Sequence, residues 1–381
     1  MLATLTVFLL MLAPPPQQEQ RFTPVEGAGL QAKQEAAVRQ AAAAGQTRFW
    51  TAHAFDVRPG VVVDFEVVNA DGRTYISDGT FDGSSWDGPG LDPAIETRNL
   101  AVFLLREGAR GDIVRVEVYN LARRREYAGH PVYWAGRASN EESLSFLRGL
   151  VDAARSPELA AAAVRAVALH DDRRVPDILT AVARSGADER VRAQAVRSLG
   201  HHPPTPAARD FLAALARDAR EPHEVRRSAI TAYGRARDAQ ALAFLQSLYD
   251  QLNDRELKRR VLSSLRENEN RDAAVGLLIR VATQDADREL RRRALAQLGE
   301  VAGERALGTL RETASSPDAD VELQKQALHA ISRRPSAEAV PLLIRAAQTH
   351  ARPEIRKHAL VLLGRSGDPA AVEFLRAFLT K

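Results

Sequence analysis

The sequence predicts a multidomain chain of α and β structure: a small antiparallel β-sandwich-like domain, then a right-handed α-solenoid of about seven helical repeats. Three observations carry the prediction. Residues 48–136 alternate apolar and polar side chains over short runs broken by turn signals, the mark of half-buried strands. Beyond Leu144 one five-residue pattern recurs at Leu159 (a weaker copy), Val191, Val225, Leu257, Leu290, Leu323 and Ile355, at spacings of 32, 34, 32, 33, 33 and 32 residues. A period that narrow marks stacked supersecondary units, each needing its neighbours to bury its apolar face. Finally, 381 residues exceed what one ordinary core fills.

Composition excludes some functions. Lys and Arg number 53 against 49 Asp and Glu, a formal charge of +4, too small an excess to imply nucleic acid. The absence of cysteine removes thiol catalysis, cysteine zinc sites, disulfides and a lipid anchor on an N-terminal Cys.

Leu2 to Leu12 is an apolar or Thr-bearing run, ended by Ala13 and three prolines and too short for an ordinary transmembrane helix. It reads as a secretory signal peptide over residues 1–18, although its n-region lacks Lys and Arg, so a periplasmic or secreted location is expected. Residues 19–46 are a lead segment and an Ala-rich helix, Gln31 to Ala44, stopped by Gly45. The β domain spans 47–138. Its strands are expected at Phe49–Val57, Val61–Val68, Thr74–Ser77, Leu100–Arg106, Asp112–Val118 and Val132–Ala135. Turns fall at Arg58-Pro59-Gly60, Asp71-Gly72, Glu107-Gly108 and Gly111-Asp112. From 139 to 381 the strand signal is absent, and Asn140 is the expected N-cap of the first solenoid helix.

Each repeat holds two helices. The second opens at Asp188, Asp254, Asp287 or Asp320, three residues before the first pattern residue, where a carboxylate oxygen accepts from free backbone N–H groups. Ser156-Pro157 and Arg352-Pro353 open two other copies. Apolar residues then recur at i, i+4, i+5 and i+8, as in Val191, Ala195, Val196 and Leu199. That is one helical face, with a small residue where the partner helix comes close. First helices carry pairs such as Leu242/Leu245, Val275/Leu278 and Val340/Leu343, and a lone first helix, Pro369 to Leu379, closes the array.

The Asp-x-x-Val-Arg-x-x-Ala-Val-x-x-Leu-Gly run of Asp188–Gly200 resembles HEAT repeats, in the short bacterial form also found in phycobilisome-lyase-like proteins. The resemblance extends over roughly 240 of the 381 residues. It implies an armadillo-like solenoid of HEAT-like repeats. It also implies a class whose members act as adaptors, scaffolds and, in a minority, bilin-handling lyases. In such repeats the capping Asp and the following Arg commonly bond between units. That structural role would fall on Asp188, Arg192, Arg226, Asp254, Lys258, Asp287, Arg291 and Arg356.

Candidate binding residues form columns. The first column of cations is Arg192, Arg226, Lys258, Arg291 and Arg356. Beside it run Arg227, Arg259, Arg292, Lys325 and Lys357, and then Arg260 and Arg293. Stacking would align these as basic stripes on the inner, concave side, a surface for an anionic partner. The second and third columns are equally compatible with a solvated face. Asp78, Asp82, Asp87 and Asp92 share a Gly-rich stretch that could offer oxygens to calcium, but its spacing is not that of an EF-hand and its Asp-Gly pairs read as turns. Trp86, at its centre, is a further contact candidate. Nine scattered histidines, with no His-Glu-x-x-His, P-loop, Gly-x-Ser-x-Gly or dinucleotide fingerprint, leave no catalytic residue, metal or cofactor to assign.

The expectation is therefore a non-catalytic protein–protein interaction scaffold of the bacterial cell envelope. It would bind through the concave face of the solenoid and the β domain, to a protein with an acidic surface and not to nucleic acid. The alternative is an enzyme or ligand handler of the lyase-like class, with a pocket at the β–solenoid junction.

Overall fold

The structure, a computed structural model, describes residues 22–68, 74–81, 98–123, 125–265, 271–301 and 303–380. The expected signal peptide, Trp86 and residues 82–92 of the acidic stretch lie outside the described residues, while Asp78 falls within a strand. The chain divides into two compact units, one ending at Asp172 and the other beginning at Arg173.

In the first unit, β1 (Thr23–Pro24), β2 (Arg48–Ala54), β5 (Leu100–Glu107), β6 (Asp112–Asn120) and β7 (Val132–Arg137) form a five-stranded sheet in the order β1-β7-β2-β5-β6. A separate antiparallel hairpin pairs β3 (Val62–Val68) with β4 (Thr74–Phe81). Every strand expected from the alternation is present. The pairing is mixed, however, and not wholly antiparallel: β7 runs parallel to both β1 and β2. Alternation reports which face of a strand is buried and carries no information about the direction of its neighbour. Central β2 and β5 are buried almost throughout, as strands covered on both faces must be. Helix α1 (Leu30–Ala43) lays Ala37 and Ala41 over Phe49, Tyr133 and Ala135 on one face. Trp50, Phe103 and Leu105 gather Phe22, Tyr119, Tyr127 and Trp134 in a second cluster.

Helices α2 (Asn140–Ala153) and α3 (Pro157–Val167) belong to this first unit, so the division falls one helical pair later than the expected boundary at 138/139. Helix α3 packs on β6, and α2 packs on α1 and α3. The N-cap of α2 is Ser139, not Asn140. Ser139 and Glu142 form a reciprocal capping box, a pairing that satisfies two orphan N–H groups where a lone Asn satisfies one. Asn140 instead accepts from the Asp56 N–H at 3.0 Å and donates to the Asp171 carbonyl at 2.8 Å.

The second unit is helical. First helices are α4 (Val175–Ser185), α6 (Pro206–Arg217), α8 (Ala239–Gln251), α10 (Arg271–Gln284), α12 (Glu304–Ser315) and α14 (Ser336–Thr349). Second helices are α5 (Glu189–Leu199), α7 (His223–Gly234), α9 (Arg255–Ser264), α11 (Arg288–Leu298), α13 (Val321–Ser332) and α15 (Pro353–Ser366), and α16 (Pro369–Leu379) packs on α14 and α15. Asp188, Asp254, Asp287 and Asp320 each cap the helix that follows, as the spacing requires. Successive second helices nearly touch. A Cβ added at Gly200 would stand 2.6 Å from Ala232 Cα, one at Gly234 2.7 Å from Ser264 Cβ, and one at Gly299 2.6 Å from the Ala330 carbonyl oxygen. First helices pack more loosely on one another, so the second helices are the tighter, inner row.

Candidate functional site

The columns of charge on the second helices separate into three kinds of contact. First-column residues turn inward. Arg192 Nε donates to the Ala183 carbonyl at the end of α4 (2.7 Å), and its terminal nitrogen reaches Glu221 of the next repeat (2.7 Å). Arg226 Nε donates to the Ala216 carbonyl (3.3 Å) and Arg356 to the His350 carbonyl (2.7 Å). A cation from the second helix thus satisfies the free carbonyls, and the negative end, of its own first helix. Lys258 lies over the Tyr249 ring at 4.8 Å and 3.9 Å from Asp285. Arg291 Nε is buried without a hydrogen-bond partner among the described residues.

The capping carboxylates join the repeats. His223 Nε2 faces Asp254 at 3.3 Å, Arg255 pairs with Asp287, and Arg288 pairs with Asp320 at 2.5 Å. In each case the first residue of one second helix holds the capping Asp of the next. The Leu257 N–H, with His223 beside it, holds the Asp254 carboxyl below the usual range. Asp188 caps its own helix through the Arg190 and Val191 N–H groups. The partners His223, Arg255 and Arg288 were not evident from the cation columns, although a basic residue directly after the capping Asp was visible at Asp254-Arg255 and Asp287-Arg288.

The second column is not a bare basic stripe. Arg227 pairs with Glu224 (2.7 Å), Arg259 with Glu256 (2.5 Å), Arg292 with Glu289 (2.9 Å) and Lys325 with Glu322 (2.9 Å). Each carboxylate lies three residues upstream on the same helix, where side chains are neighbours, so an acidic column runs beside the basic one. Lys357 is exposed in the same register, after exposed Glu354.

Arg260 and Arg293 sit differently. Arg293 donates to Ser263 Oγ at 2.9 Å while its Nε is buried and unpartnered among the described residues. Burial, then the neighbouring Arg227, lowers the pKa of Arg260; Arg259 and Arg293 act in the same direction and Glu224 opposes them. Arg197 also reaches Glu224 (3.0 Å) and Ser228 Oγ (3.1 Å). Around Glu224, α5 to α11 therefore gather more guanidinium than carboxylate.

Residues 176–266 and 314–381 match the family of HEAT repeats. The helical array is built of HEAT repeats. This HEAT array is similar to human deoxyhypusine hydroxylase in complex with glycerol, at 18% identity over 62% of this chain and 90% of that one, TM-score 0.32. It is also similar to the complex of CpcE and CpcF of phycocyanin lyase from Nostoc, at 19% identity over 62% and 92%, TM-score 0.32. A third likeness is to YibA of E. coli, at 14% identity over 68% and 92%, TM-score 0.40. At these values the likenesses say nothing of activity or ligand. No curated protein matches the chain.

Outside the HEAT repeats, the first unit holds a constellation with no sequence signal. Ser143 Oγ lies 2.9 Å from His53 Nε2 and 2.8 Å from His170 Nε2, and all three residues are fully buried. The partners fix the protons. His170 Nδ1 faces the Ala166 carbonyl at 2.9 Å, so it carries the hydrogen and Nε2 accepts from the Ser143 hydroxyl. Ser143 then accepts from His53 Nε2–H, which leaves His53 Nδ1 bare and without a partner among the described residues. Burial pushes His53 down to about 3, with His170 adding to the shift. Burial likewise pushes His170 to about 4, and its ring stacks on Phe55 at 4.1 Å. The arrangement resembles an activated hydroxyl, yet no substrate reaches a serine with no exposed surface. Its chemistry is that of a neutral core link between strand and helices.

Proposed function

We propose that this HEAT-repeat chain is a non-catalytic interaction scaffold, exported to the bacterial cell envelope, whose inner row of second helices holds an acidic protein segment. The β domain would give it a second contact surface. The observation that carries this reading is the half-buried pair Arg260 and Arg293. Neither has a carboxylate within ion-pair distance among the described residues, and Arg260 is crowded by other guanidiniums. An incoming carboxylate relieves that repulsion, while the self-neutralised Glu–Arg columns on either side are already content in water.

A labelled oligo-glutamate peptide titrated into the full chain tests the reading. Wild type should bind saturably, and Arg260→Glu/Arg293→Glu should weaken binding by about tenfold or more, with an unchanged melting temperature. Equal binding by wild type and folded variant would refute the assignment. Export is checked separately by following the full-length chain through cell fractionation.

A further inference from the structure

We propose that the repeats formed by α12 to α15 carry a pocket for a small amphipathic carboxylate, a site distinct from the inner-row charges. The cavity measures ≈ 490 Å³ and opens between the first helices α12 and α14, with α13 as its floor. That volume lies within the range of small-molecule sites.

The cavity has a sequence cause. First helices align on their apolar pairs, Leu242/Leu245 in α8, Leu307/Leu310 in α12 and Val340/Leu343 in α14. Six and seven residues after the first of each pair, α8 carries Leu248 and Tyr249, both buried, and the Tyr249 hydroxyl donates to Asp285 at 2.7 Å. The equivalent positions are Thr313-Ala314 in α12 and Ala346-Ala347 in α14. Space that a leucine and a phenol fill in one repeat is left open in another. Its floor is apolar, with Leu328 and Ile331 each 1% exposed, and Leu342 and Ala346 line the wall.

The polar lining has one sign. No Asp or Glu lines the cavity, whereas Arg311, Arg345 and Arg352 do. Arg311 and Arg345 are exposed, and neither guanidinium has a partner among the described residues. Arg352 is held by the Ala319 carbonyl (2.6 Å), Gln324 Oε1 (2.7 Å) and the Pro317 carbonyl (2.8 Å). All three acceptors are neutral, so its position is fixed while its charge is uncompensated. Buried Gln324 is itself fixed by donation to the Ser316 carbonyl at 2.6 Å. His350 donates to the Ala314 carbonyl (3.1 Å) and accepts from the Arg352 N–H (3.1 Å), so it offers the ligand no carboxylate-like acceptor. A cationic rim selects an anionic head. The apolar floor gains nothing from a hydrated inorganic anion and gains from an alkyl or aryl tail.

The test is calorimetric titration of the full chain with decanoate, beside 1-decanol (the tail without the charge) and acetate (the head without the tail). The expected result is 1:1 saturable binding of decanoate, with decanol and acetate each weaker by about tenfold or more. Ala346→Phe, which fills the cavity, should reduce decanoate affinity by about tenfold or more, and so should Arg311→Glu/Arg345→Glu. The second variant changes exposed residues only and keeps the test open should the first fail to melt cooperatively. Decanoate that does not saturate, that binds the folded filled or charge-reversed variant as well as wild type, or that binds no better than decanol would overturn the proposal.

Discussion

Acidification should destabilise the first unit through His53 and His170. Both rings are neutral in the fold, with pKa values pushed by burial to about 3 and about 4 against 6.5 for a free side chain. The unfolded chain therefore binds more protons than the folded one between pH 6.5 and the folded values, approaching two more near pH 5. Stability is whole above about 6.5 and falls as pH drops through that window. At pH 5, about 1.5 units below the free value, each ring costs about 2 kcal/mol, or about 4 kcal/mol for the pair. That is a large share of a typical domain stability of about 5–15 kcal/mol. Protonated His53 would also place a new N–H at Nδ1, where the described residues offer no acceptor. The assay is urea denaturation at pH 7.5, 6 and 5 followed by tryptophan fluorescence. All three tryptophans, at positions 50, 86 and 134, precede Asp172, so the signal reports this unit. His53→Gln/His170→Gln should be less stable than wild type at pH 7.5 but should lose about 4 kcal/mol less on going to pH 5. A wild type whose stability is flat from pH 7.5 to 5, or a double variant with the wild-type slope, would refute the reasoning.

Two predictions concern the HEAT array. Gly299→Ala places a Cβ 2.6 Å from the Ala330 carbonyl oxygen. Separating α11 from α13 should cost about 1–3 kcal/mol in urea denaturation followed by circular dichroism; a neutral or stabilised variant would contradict the close packing of the inner row. Arg192→Ala removes a largely buried guanidinium bonded to Ala183 and Glu221 and should cost about 1.5–3 kcal/mol. Arg292→Ala breaks only the half-exposed pair with Glu289 and should cost at most about 0.5 kcal/mol. Equal losses would show that the first and second columns do not differ in kind.

Much of the candidate face was legible one column at a time. Each second-column cation has its Glu three residues upstream, at Glu224, Glu256, Glu289 and Glu322. Following only the cations made a paired face look basic. The spacing of three on one helix is local information, carried by the two signs of charge together. Arg352 was not legible in the same way. It reads as the N-cap position before Pro353, and nothing local says that its guanidinium reaches Ala319, Pro317 and Gln324. Nor does the sequence show that Ala314 and Ala346 border one space, because the pocket depends on what faces them across a helix–helix gap.

The sequence by itself determined the repeat period, the capping Asp of four second helices, the buried face of each second helix and the location of every strand longer than two residues. These features obey rules that act within one or two turns of helix or along one strand, so neighbouring residues suffice to state them. Only the tertiary structure decided that β7 lies parallel between β1 and β2, that α2 and α3 join the first unit, and that His53, Ser143 and His170 meet. The last contact spans 90 residues between His53 and Ser143. Bonds of that separation are set by which apolar faces bury each other, and that choice is made only when the whole chain packs.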